Sequence, residues 1–388
     1  MNDHLHNATA ELGVHLNDQV LEPMKRRFVD KDEVIDLLGV CLVGGENLFL
    51  LGPPGTAKTA LVHDMASRFD GRVFDYLLTR FTEPNELFGP FDIRRLREGD
   101  LVTNTEGMLP EASFVFLDEL LNANSAILNS LLMVLNERVF RRGRETRKLP
   151  LLMVVGASNR LPEDEALGAL FDRFLLRVVC DNVEEERLRN VLDAGWRIDQ
   201  RLDDVQVTLR IEDVKALQAM IAQVEIEPVR PLYVDLIHKL RNAGITISDR
   251  RAVKLQRMIA ASSLLCGRTS ALASDLWVMN YIWDAIEQRE VLAEIVKSTI
   301  ESVDATEDEN HHPRAMGGAK PDADALSREL DDIAKRLGEP ELAGADRACL
   351  QDRIGVLTSR IAWVDDGQQR TFLEQKVKEL WQKVEATV

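Results

Sequence analysis

The feature that most constrains this sequence is a glycine- and proline-rich turn between an apolar run and a helical pattern. Residues 47–51 are mostly apolar and predict a short buried strand, and a helical periodicity begins at Ala60. The connecting turn reads Gly-Pro-Pro-Gly-Thr-Ala-Lys-Thr over residues 52–59. In such an arrangement the backbone N–H groups of the loop and the helix N-terminus face an anion. The sequence therefore predicts a phosphate-binding loop, and the alternative is an ordinary tight turn.

The same turn carries the side chains that a nucleotide requires. Lys58 would pair with the β- and γ-phosphates, and the Thr59 hydroxyl would hold Mg²⁺. Ala57 stands where the pattern G-x-x-x-x-G-K-[ST] has its last glycine, and its methyl group is tolerable if the backbone there is near helical φ and ψ. The predicted nucleotide-contacting residues are Gly52, Pro53, Pro54, Gly55, Thr56, Ala57, Lys58, Thr59 and Ala60.

The composition fits a cytoplasmic globular protein of two or three domains. The chain has 388 residues, 45% of them hydrophobic, and a formal net charge of −17. Nucleic-acid and membrane-surface partners usually require the opposite charge balance, so both are disfavoured. The start of the chain lacks a charged-then-apolar signal, and no apolar run reaches about 18 residues, so we expect no membrane segment. The cysteines are far apart, which favours buried thiols over a disulfide frame or zinc site: Cys41, Cys180, Cys266 and Cys349.

Buried strands alternate with helices through the first half of the chain. Apolar runs at 72–78, 113–117, 151–157 and 174–179 predict further strands, and 124–137 predicts a helix. This alternation indicates an α/β fold with a mainly parallel sheet covered on both faces. We predict an N-terminal segment at 1–22, an α/β core at 23–185 and a helical domain at 186–300, with a brief strand-like interruption at 205–209.

The C-terminal part divides into a polar linker and a patterned tail. Residues 301–323 contain little that could be buried and predict a linker, in which we expect His311 and His312 to be solvated rather than to bind a metal. In residues 324–388 apolar side chains recur at spacings of four and three, which predicts a small helical bundle or coiled-coil arm. It would be either a packing appendage or a docking arm. The positions are Leu326, Leu330, Ile333 and Leu337; Leu350, Ile354, Leu357, Ile361 and Val364; Leu373, Val377, Leu380 and Val384.

Polar side chains follow two of the predicted strands where each strand ends. Asp118 and Glu119 follow the strand at 113–117, and Asn159 follows the strand at 151–157. Beside a phosphate loop, Asp118 would orient Mg²⁺ through water and Glu119 would act on the attacking water. Asn159 could bind the γ-phosphate or that water. The alternatives are helix capping for the carboxylates and a turn role for the amide.

These stretches together resemble a known family. Residues 52–59, 116–119, 156–159 and 169–174 resemble the MoxR family of AAA+ ATPases. Two longer stretches, 82–90 and 122–138, are most similar to the RavA-like branch, in which alanine is usual at the position of Ala57. The resemblance covers about residues 20–265. It implies an AAA+ P-loop core followed by an all-α lid.

The resemblance implies a role for each candidate site residue. Lys58 and Thr59 would form Walker A, Asp118 and Glu119 Walker B, and Asn159 sensor 1. Arg173 would be the arginine finger that reaches the nucleotide of a neighbouring subunit; the alternative is an ion pair with Asp172. Further implied positions are a sensor 2 arginine, Arg250 in preference to Arg251, and Phe28 and Val29 near the adenine.

The family also carries two insertions that are expected near the pore of a ring. Residues 92–108 would be the helix-2 insert, and 140–148 the pre-sensor hairpin. Arg141, Arg142 and Arg144 would then form a basic ring able to grip an acidic or extended polypeptide. The alternative is a solvated hairpin.

The implied function is that of a Mg²⁺-dependent motor that forms a ring, expected to have six members, hydrolyses ATP and remodels a partner protein. Family members typically act with a partner that carries a von Willebrand factor A domain. A DNA-acting motor is the first alternative, and the charge of −17 counts against it. A non-hydrolysing, nucleotide-gated scaffold is the second, and Glu119 counts against that.

Overall fold

The computed structural model describes residues 11–97, 102–142, 145–163, 165–200, 207–303, 311–316 and 367–386, together with 326–327, 330 and 333–334. Within these residues the chain forms an α/β body, a helical lid and paired helical segments near the C-terminus. No described helix has both the length and the apolar content needed to cross a membrane.

A five-stranded parallel sheet forms the centre of the α/β body. Its strands are β1 (Leu48–Leu51), β2 (Val73–Leu77), β3 (Phe114–Asp118), β6 (Met153–Ser158) and β7 (Leu176–Val179), in the order β2-β3-β6-β1-β7. The register pairs Leu51 with both Ser158 and Val179, so these three strands end level with one another. The inner strands are buried on both faces, which is why the sequence shows continuous apolar runs there rather than alternation. The five predicted core strands are confirmed.

Helices cover both faces of this sheet and connect its strands. They are α1 (Glu22–Arg27), α2 (Asp32–Gly44), α3 (Lys58–Ser67), α4 (Pro84–Phe88), α5 (Ile93–Arg97), α6 (Ser125–Glu137) and α7 (Glu165–Phe171). Helix α6 begins where predicted, because the Asn124 side chain accepts hydrogen bonds from the N–H groups of Ala126 and Ile127. Strands β4 (Val139–Arg142) and β5 (Glu145–Lys148) form a separate antiparallel hairpin after α6.

Helices dominate the second part of the chain, as predicted. They are α8 (Leu188–Asp199), α9 (Ile211–Met220), α10 (Arg230–Asn242), α11 (Asp249–Leu265) and α12 (Gln288–Glu301), with a long 3₁₀ segment at Ala273–Tyr281. The predicted strand-like interruption contributes only an isolated bridge between Leu209 and Phe69 in its described part. Helix α11 packs along α2, which joins the lid to the body.

The N-terminal residues belong to the packed body in the part that is described. Residues 11–16 are helical and lead into a π-helical turn at Asn17–Leu21, and Leu16, Val20 and Leu21 are buried. A Cβ at Gly13 would lie 1.9 Å from the backbone oxygen of Leu264, so only glycine allows this approach to α11.

One expectation for the predicted linker is wrong. His312 is buried, with its ring stacked on Trp277 at 4.4 Å between centroids, and Arg314 of the same segment is 2.6 Å from Asp36. The apolar surface of Trp277 and the carboxylate of Asp36 provide partners that the polar composition of 301–323 does not reveal. Burial lowers the pKa of His312 to about 3.

The heptad positions of the tail are buried wherever their side chains are described. Leu326, Leu330 and Ile333 belong to the first patterned stretch, and helix α13 (Gly367–Ala386) carries Leu373, Val377 and Leu380. Lys376 of α13 donates to the Ser327 hydroxyl over 2.8 Å. The first and third stretches therefore contact each other, whereas the second stretch, 350–364, lies outside the described residues.

Candidate nucleotide-binding site

The predicted phosphate-binding loop, residues 52–59, connects β1 to α3 at the carboxyl edge of the sheet. Gly52 is constrained by close packing, because a Cβ there would lie 2.1 Å from the backbone oxygen of Cys180. The Gly52 N–H donates to the Ser158 oxygen over 3.0 Å, and the Cys180 N–H donates to the Leu51 oxygen over 2.7 Å. The loop thus starts from a point fixed by both neighbouring strands.

Lys58 lies within this loop rather than pointing away from it. The lysine is buried, and its Nζ donates to the backbone oxygens of Gly52 over 3.0 Å and Pro53 over 2.7 Å. Thr56 donates to the same Pro53 oxygen over 3.0 Å. Thr59, at the N-terminus of α3, is exposed and available to a ligand. A cation, a free hydroxyl and the positive end of a helix therefore meet at one place, which suits a polyphosphate.

The backbone at Ala57 differs from the expectation. Ala57 has φ of +65° and ψ of 18°, which is left-handed rather than near helical. A side chain in this region is strained by roughly 1–3 kcal/mol, which explains why the general pattern has glycine here. The expectation of a near-helical backbone at Ala57 is therefore wrong, and the alanine is accommodated in a strained, left-handed conformation.

The predicted carboxylates and amide follow the neighbouring strands in sheet order. Asp118 is the last residue of β3, and Asn159 directly follows β6, which lies between β3 and β1. Because adjacent strands are about 4.8 Å apart, Asn159 lies between the phosphate loop and the carboxylates. Glu119 has φ of +51°, and its Oε2 accepts from Asn122 Nδ2 over 3.4 Å. The three strand ends that carry predicted site residues, those of β1, β3 and β6, thus converge on one edge.

The donor set at this edge fits Mg²⁺ held with a nucleotide. A threonine hydroxyl and a carboxylate that is not fully buried, Thr59 and Asp118, are hard oxygen ligands of the kind that magnesium binds directly or through water. Among the described residues, no group of three or more His, Cys, Asp or Glu side chains forms a metal cage. A magnesium ion here would share its coordination with phosphate oxygens and water.

Phe28 and Val29 lie on the side of the loop next to the end of β7. Phe28 is buried and caps α1, and Lys31 donates to the Asp181 oxygen over 2.5 Å. The adjoining Cys180 contacts the loop through its thiol, 3.3 Å from the Thr56 oxygen. This chain of contacts places residues 28–31 beside the phosphate loop.

Arg173 lies at the opposite edge of the sheet. Its backbone oxygen accepts a hydrogen bond from Asn47 Nδ2 over 3.2 Å, and Asn47 directly precedes β1. The strand from Asn47 to Gly52 spans roughly 16 Å, which is longer than an arginine side chain. Arg173 also lies 3.8 Å from Asp172, and its buried Nε has no hydrogen-bond partner among the described atoms. Arg173 therefore cannot serve the phosphate loop of its own chain.

The two sensor 2 candidates lie next to Arg173 and differ in their surroundings. A pocket of about 20 Å³ is lined by Arg173, Arg250, Arg251 and Lys254 together with Asp172. We name this cluster the arginine pocket. Arg250 is exposed and donates to Asn136 Oδ1 over 3.3 Å. Arg251 is buried and pairs with Asp284 over 3.1 Å, so it has a structural partner that Arg250 lacks.

The predicted basic hairpin is attached to the body by one of its arginines. Arg142 donates to the Gly89 oxygen over 2.7 Å and lies over the Phe91 ring at 4.0 Å. Arg141 pairs with Glu137 over 2.8 Å on the surface. Arg144 lies outside the described residues. The hairpin and the loop at residues 89–91, before the predicted helix-2 insert, thus pack against each other, and Arg141 is the more accessible arginine of the described pair.

The sequence interpretation missed a buried charge cluster that links the body to the lid. Arg177 of β7 is fully buried, forms an ion pair with Asp284, and donates to the Trp283 oxygen over 2.6 Å. Burial, reinforced by the neighbouring Arg251, lowers the pKa of Arg177 to about 10. The sequence feature that indicates this cluster is Arg177 itself, a charged residue inside the otherwise apolar run 174–179.

Comparisons with known proteins agree with this architecture. Residues 14–219 match the family model described as the MoxR domain in the MoxR-vWA-beta-propeller ternary systems, and residues 231–296 match the AAA lid domain. A crystal structure of a protein assigned as an ATPase from Cytophaga hutchinsonii has the same fold. Its TM-score is 0.62 at 20% identity, over 77% of this chain and 97% of that one.

Three relatives share the sequence over different lengths. The uncharacterised protein MJ0812 of Methanocaldococcus jannaschii is 32% identical over 95% of both chains. The uncharacterised protein MJ0079 of the same organism is 35% identical over 73% of this chain and 74% of its own. The chaperone MoxR1 of Mycobacterium tuberculosis is 27% identical over 46% of this chain and 48% of its own.

Proposed function

The chain belongs to the MoxR family of AAA+ ATPases, and from that membership we propose that it hydrolyses ATP in a ring and uses the energy to remodel a partner protein. One observation carries the proposal. The loop, the carboxylates and the amide lie at one edge of the sheet, whereas Arg173 lies at the other.

The carboxyl edge supports nucleotide binding and activation of water. Lys58 would exchange its backbone partners, the oxygens of Gly52 and Pro53, for phosphate oxygens. Thr59 and Asp118 would hold Mg²⁺, which supplies positive charge to the phosphates when bound. Glu119 would orient the attacking water and accept its proton as the oxygen bonds to the γ-phosphorus and ADP leaves. Asn159 would position the γ-phosphate or that water.

The opposite edge supports completion of the site by a second subunit. Arg173 would stabilise the charge that develops on the neighbour's transferred phosphoryl group, a contribution of roughly 10³–10⁵ in rate. Arg250 lines the same pocket and is exposed, so it is the better sensor 2 candidate and would act from the same side. Arg251 would instead hold Asp284 within the lid, and the same carboxylate pairs with Arg177 of the body. A head-to-tail contact of this kind closes into a ring, for which we propose six subunits.

The partner follows from the family description rather than from a residue of the site. The matched model names ternary systems with a vWA protein and a β-propeller protein, so we propose a partner with a von Willebrand factor A domain. Chaperone-like remodelling is supported by the name of the relative MoxR1. Membership of the RavA-like branch remains a proposal that rests on residues 82–90 and 122–138.

Turnover by a Glu119→Gln variant tests hydrolysis. We expect turnover to fall by about 10²–10⁴ because the attacking water loses its base, whereas ATP binding is retained. Glu294→Gln, an exposed position on α12, is the matched control and should leave turnover unchanged. Equal turnover of Glu119→Gln and wild type would reject the hydrolytic mechanism in favour of a nucleotide-gated scaffold.

A further inference from the structure

Helix α6 is followed by an arginine in a backbone conformation that glycine usually adopts at helix ends. Arg138 has φ of +53° and ψ of 39°, which is left-handed. Its N–H donates to the Val134 oxygen over 3.1 Å, and its own oxygen accepts from the Leu149 N–H over 2.9 Å, which closes the base of the β4–β5 hairpin. The backbone of Arg138 is therefore fixed by both the helix and the hairpin, so its side chain starts from a defined point.

The Arg138 side chain reaches the turn that precedes β1. Its Nη2 donates to Asn47 Oδ1 over 2.9 Å and to the Gly45 oxygen over 3.3 Å. Asn47 is buried, and its Nδ2 donates to the Arg173 oxygen over 3.2 Å. Because a guanidinium only donates and a carbonyl only accepts, the Asn47 amide satisfies both neighbours in this orientation alone. One hydrogen-bonded chain therefore runs from Arg138 through Asn47 to Arg173.

The same region of the body contacts two further members of the arginine pocket. Asn136, in the last turn of α6, accepts from Arg250 Nη2 over 3.3 Å through its Oδ1. Glu46, in the turn before β1, pairs with Lys254 over 2.8 Å. Both Arg250 and Lys254 line the arginine pocket. The end of α6 and the turn before β1 therefore hold the pocket from the body.

Stability alone does not account for an arginine at position 138. Its Nη1 is buried without a hydrogen-bond partner among the described atoms, and its left-handed backbone adds strain that glycine would avoid. Burial lowers the pKa of Arg138 to about 10, and the nearby Glu46 carboxylate opposes this shift, so the guanidinium stays charged at neutral pH. A charged, strained and incompletely bonded side chain of this kind is typical of a functional position.

We propose that Arg138 is a positioning residue for Arg173 and acts through the Asn47 amide. The inference rests on the proposed function, in which Arg173 completes the ATP site of the next subunit. Arg138 does not itself reach a nucleotide. Its Nη2 is bound at the amino end of β1, roughly 16 Å from the phosphate loop of its own chain, and its Nη1 is buried. Its role is to fix the backbone from which the Arg173 guanidinium extends.

The position of Arg173 matters because the charge that it would stabilise develops only in the transition state. Arg173 lies in the turn between α7 and β7, where its N–H donates to the Leu170 oxygen over 3.0 Å. The contact with Asn47 holds the carbonyl of the same residue. A displacement of the guanidinium by about 1 Å can lower the rate on the order of 10²-fold and leave ATP binding at the neighbouring loop intact. The expected signature is a fall in kcat with an unchanged KM for ATP.

Two variants of the full chain interrupt this hydrogen-bonded chain at different points. Arg138→Met keeps a long unbranched side chain but removes its hydrogen bonds, and Asn47→Asp keeps the acceptor for Arg138 but places an oxygen against the Arg173 oxygen. We expect each variant to lower kcat about 10- to 100-fold, with KM for ATP within about threefold of wild type. Arg138→Lys retains a donor and should recover part of the lost kcat. Arg230→Met, at an exposed arginine on α10, is the matched control and should turn over ATP as wild type does.

Turnover in mixtures shows at which phosphate loop the defect lies. A generally damaged chain would be impaired at its own loop, whereas a chain with a misplaced Arg173 is impaired only at the loop of its neighbour. Arg138→Met mixed in equal amounts with Lys58→Ala should therefore exceed the mean turnover of the two separate proteins, because Lys58→Ala supplies a positioned Arg173 to an intact loop. Arg138→Met mixed with Arg173→Ala should show no such gain, because neither chain supplies a positioned arginine.

The outcomes separate this inference from the proposed function. Wild-type kcat in Arg138→Met and Asn47→Asp, beside an inactive Arg173→Ala, would overturn the positioning role and leave the proposed function intact. Wild-type turnover by Arg173→Ala would overturn both. Loss of ATP binding by Arg138→Met, or a gain on mixing it with Arg173→Ala, would show a general structural role and overturn the inference. A fall in kcat with KM retained, and a gain only with Lys58→Ala, supports it.

Discussion

Asn47 Nδ2 donates a hydrogen bond over 3.2 Å to the backbone oxygen of Arg173. This contact fixes the arginine at the amino end of β1, the strand whose carboxyl end leads into the phosphate loop. Both halves of the proposed ATP site therefore occur in each chain, separated by the length of one strand. In the proposed mechanism, a complete site requires that a second chain supply its arginine.

Strain at Ala57 predicts a stabilising substitution. Ala57→Gly removes a methyl group from a residue with φ of +65°, so the free energy of unfolding should rise by about 0.5–1 kcal/mol after the added chain entropy of glycine is subtracted. Urea titration measures the change. Ala60→Gly, an exposed position in helix α3 directly after the loop, should instead lower stability by roughly 0.5–1 kcal/mol. A fall in stability for Ala57→Gly would contradict the left-handed strain.

The pairing of Asp284, whose side chain is 39% exposed, with two buried arginines predicts a loss of stability. Asp284→Ala leaves Arg177 and Arg251 without their carboxylate, and we expect a loss of about 3 kcal/mol in the free energy of unfolding. Asp235→Ala removes only a surface partner of Lys239 and should cost less than about 1 kcal/mol. Similar midpoints for the two variants in urea would show that the cluster does not hold the lid to the body.

His312 predicts a loss of stability in mild acid. Its pKa is about 3 in the folded chain, against about 6.5 when unfolded, so the unfolded state binds the proton first as the pH falls. The contribution of neutral His312 to the free energy of unfolding is complete above about pH 6.5 and is lost progressively as the pH falls towards 3. Between pH 7.5 and 5.5 this titration should lower the free energy of unfolding by about 1.4 kcal/mol.

A variant that cannot titrate isolates this contribution from other groups. His312→Phe keeps a ring on Trp277 but loses the Nδ1 atom that accepts from the Arg314 N–H over 3.1 Å. It should be less stable at pH 7.5 and lose less stability between pH 7.5 and 5.5 than wild type. Parallel pH profiles for the two proteins would contradict the buried neutral histidine.

The strands and their functional ends were predictable because each is a short, continuous apolar run followed directly by its polar residue. The proximity of Asp118 and Asn159 was predictable from the rule that the carboxyl ends of parallel strands lie at one edge of the sheet. The arginine pocket was not predictable, because Arg173 and Arg250 are far apart in sequence and meet through the packing of the lid. Likewise, the residues that flank His312 along the chain are polar and do not indicate that its ring stacks on Trp277. Local pattern predicts elements, whereas these contacts depend on how distant elements pack.

The measurement that tests the two-subunit site most directly is ATP turnover in mixtures of two inactive variants. Arg173→Ala should retain ATP binding and lose hydrolysis, and Lys58→Ala should lose binding at its own loop while keeping Arg173. Mixed in equal amounts, they create interfaces that join an intact loop to an intact arginine, so we expect turnover to recover to a measurable fraction of wild type. Mixtures that stay as inactive as either variant alone, although the subunits exchange, would contradict the account.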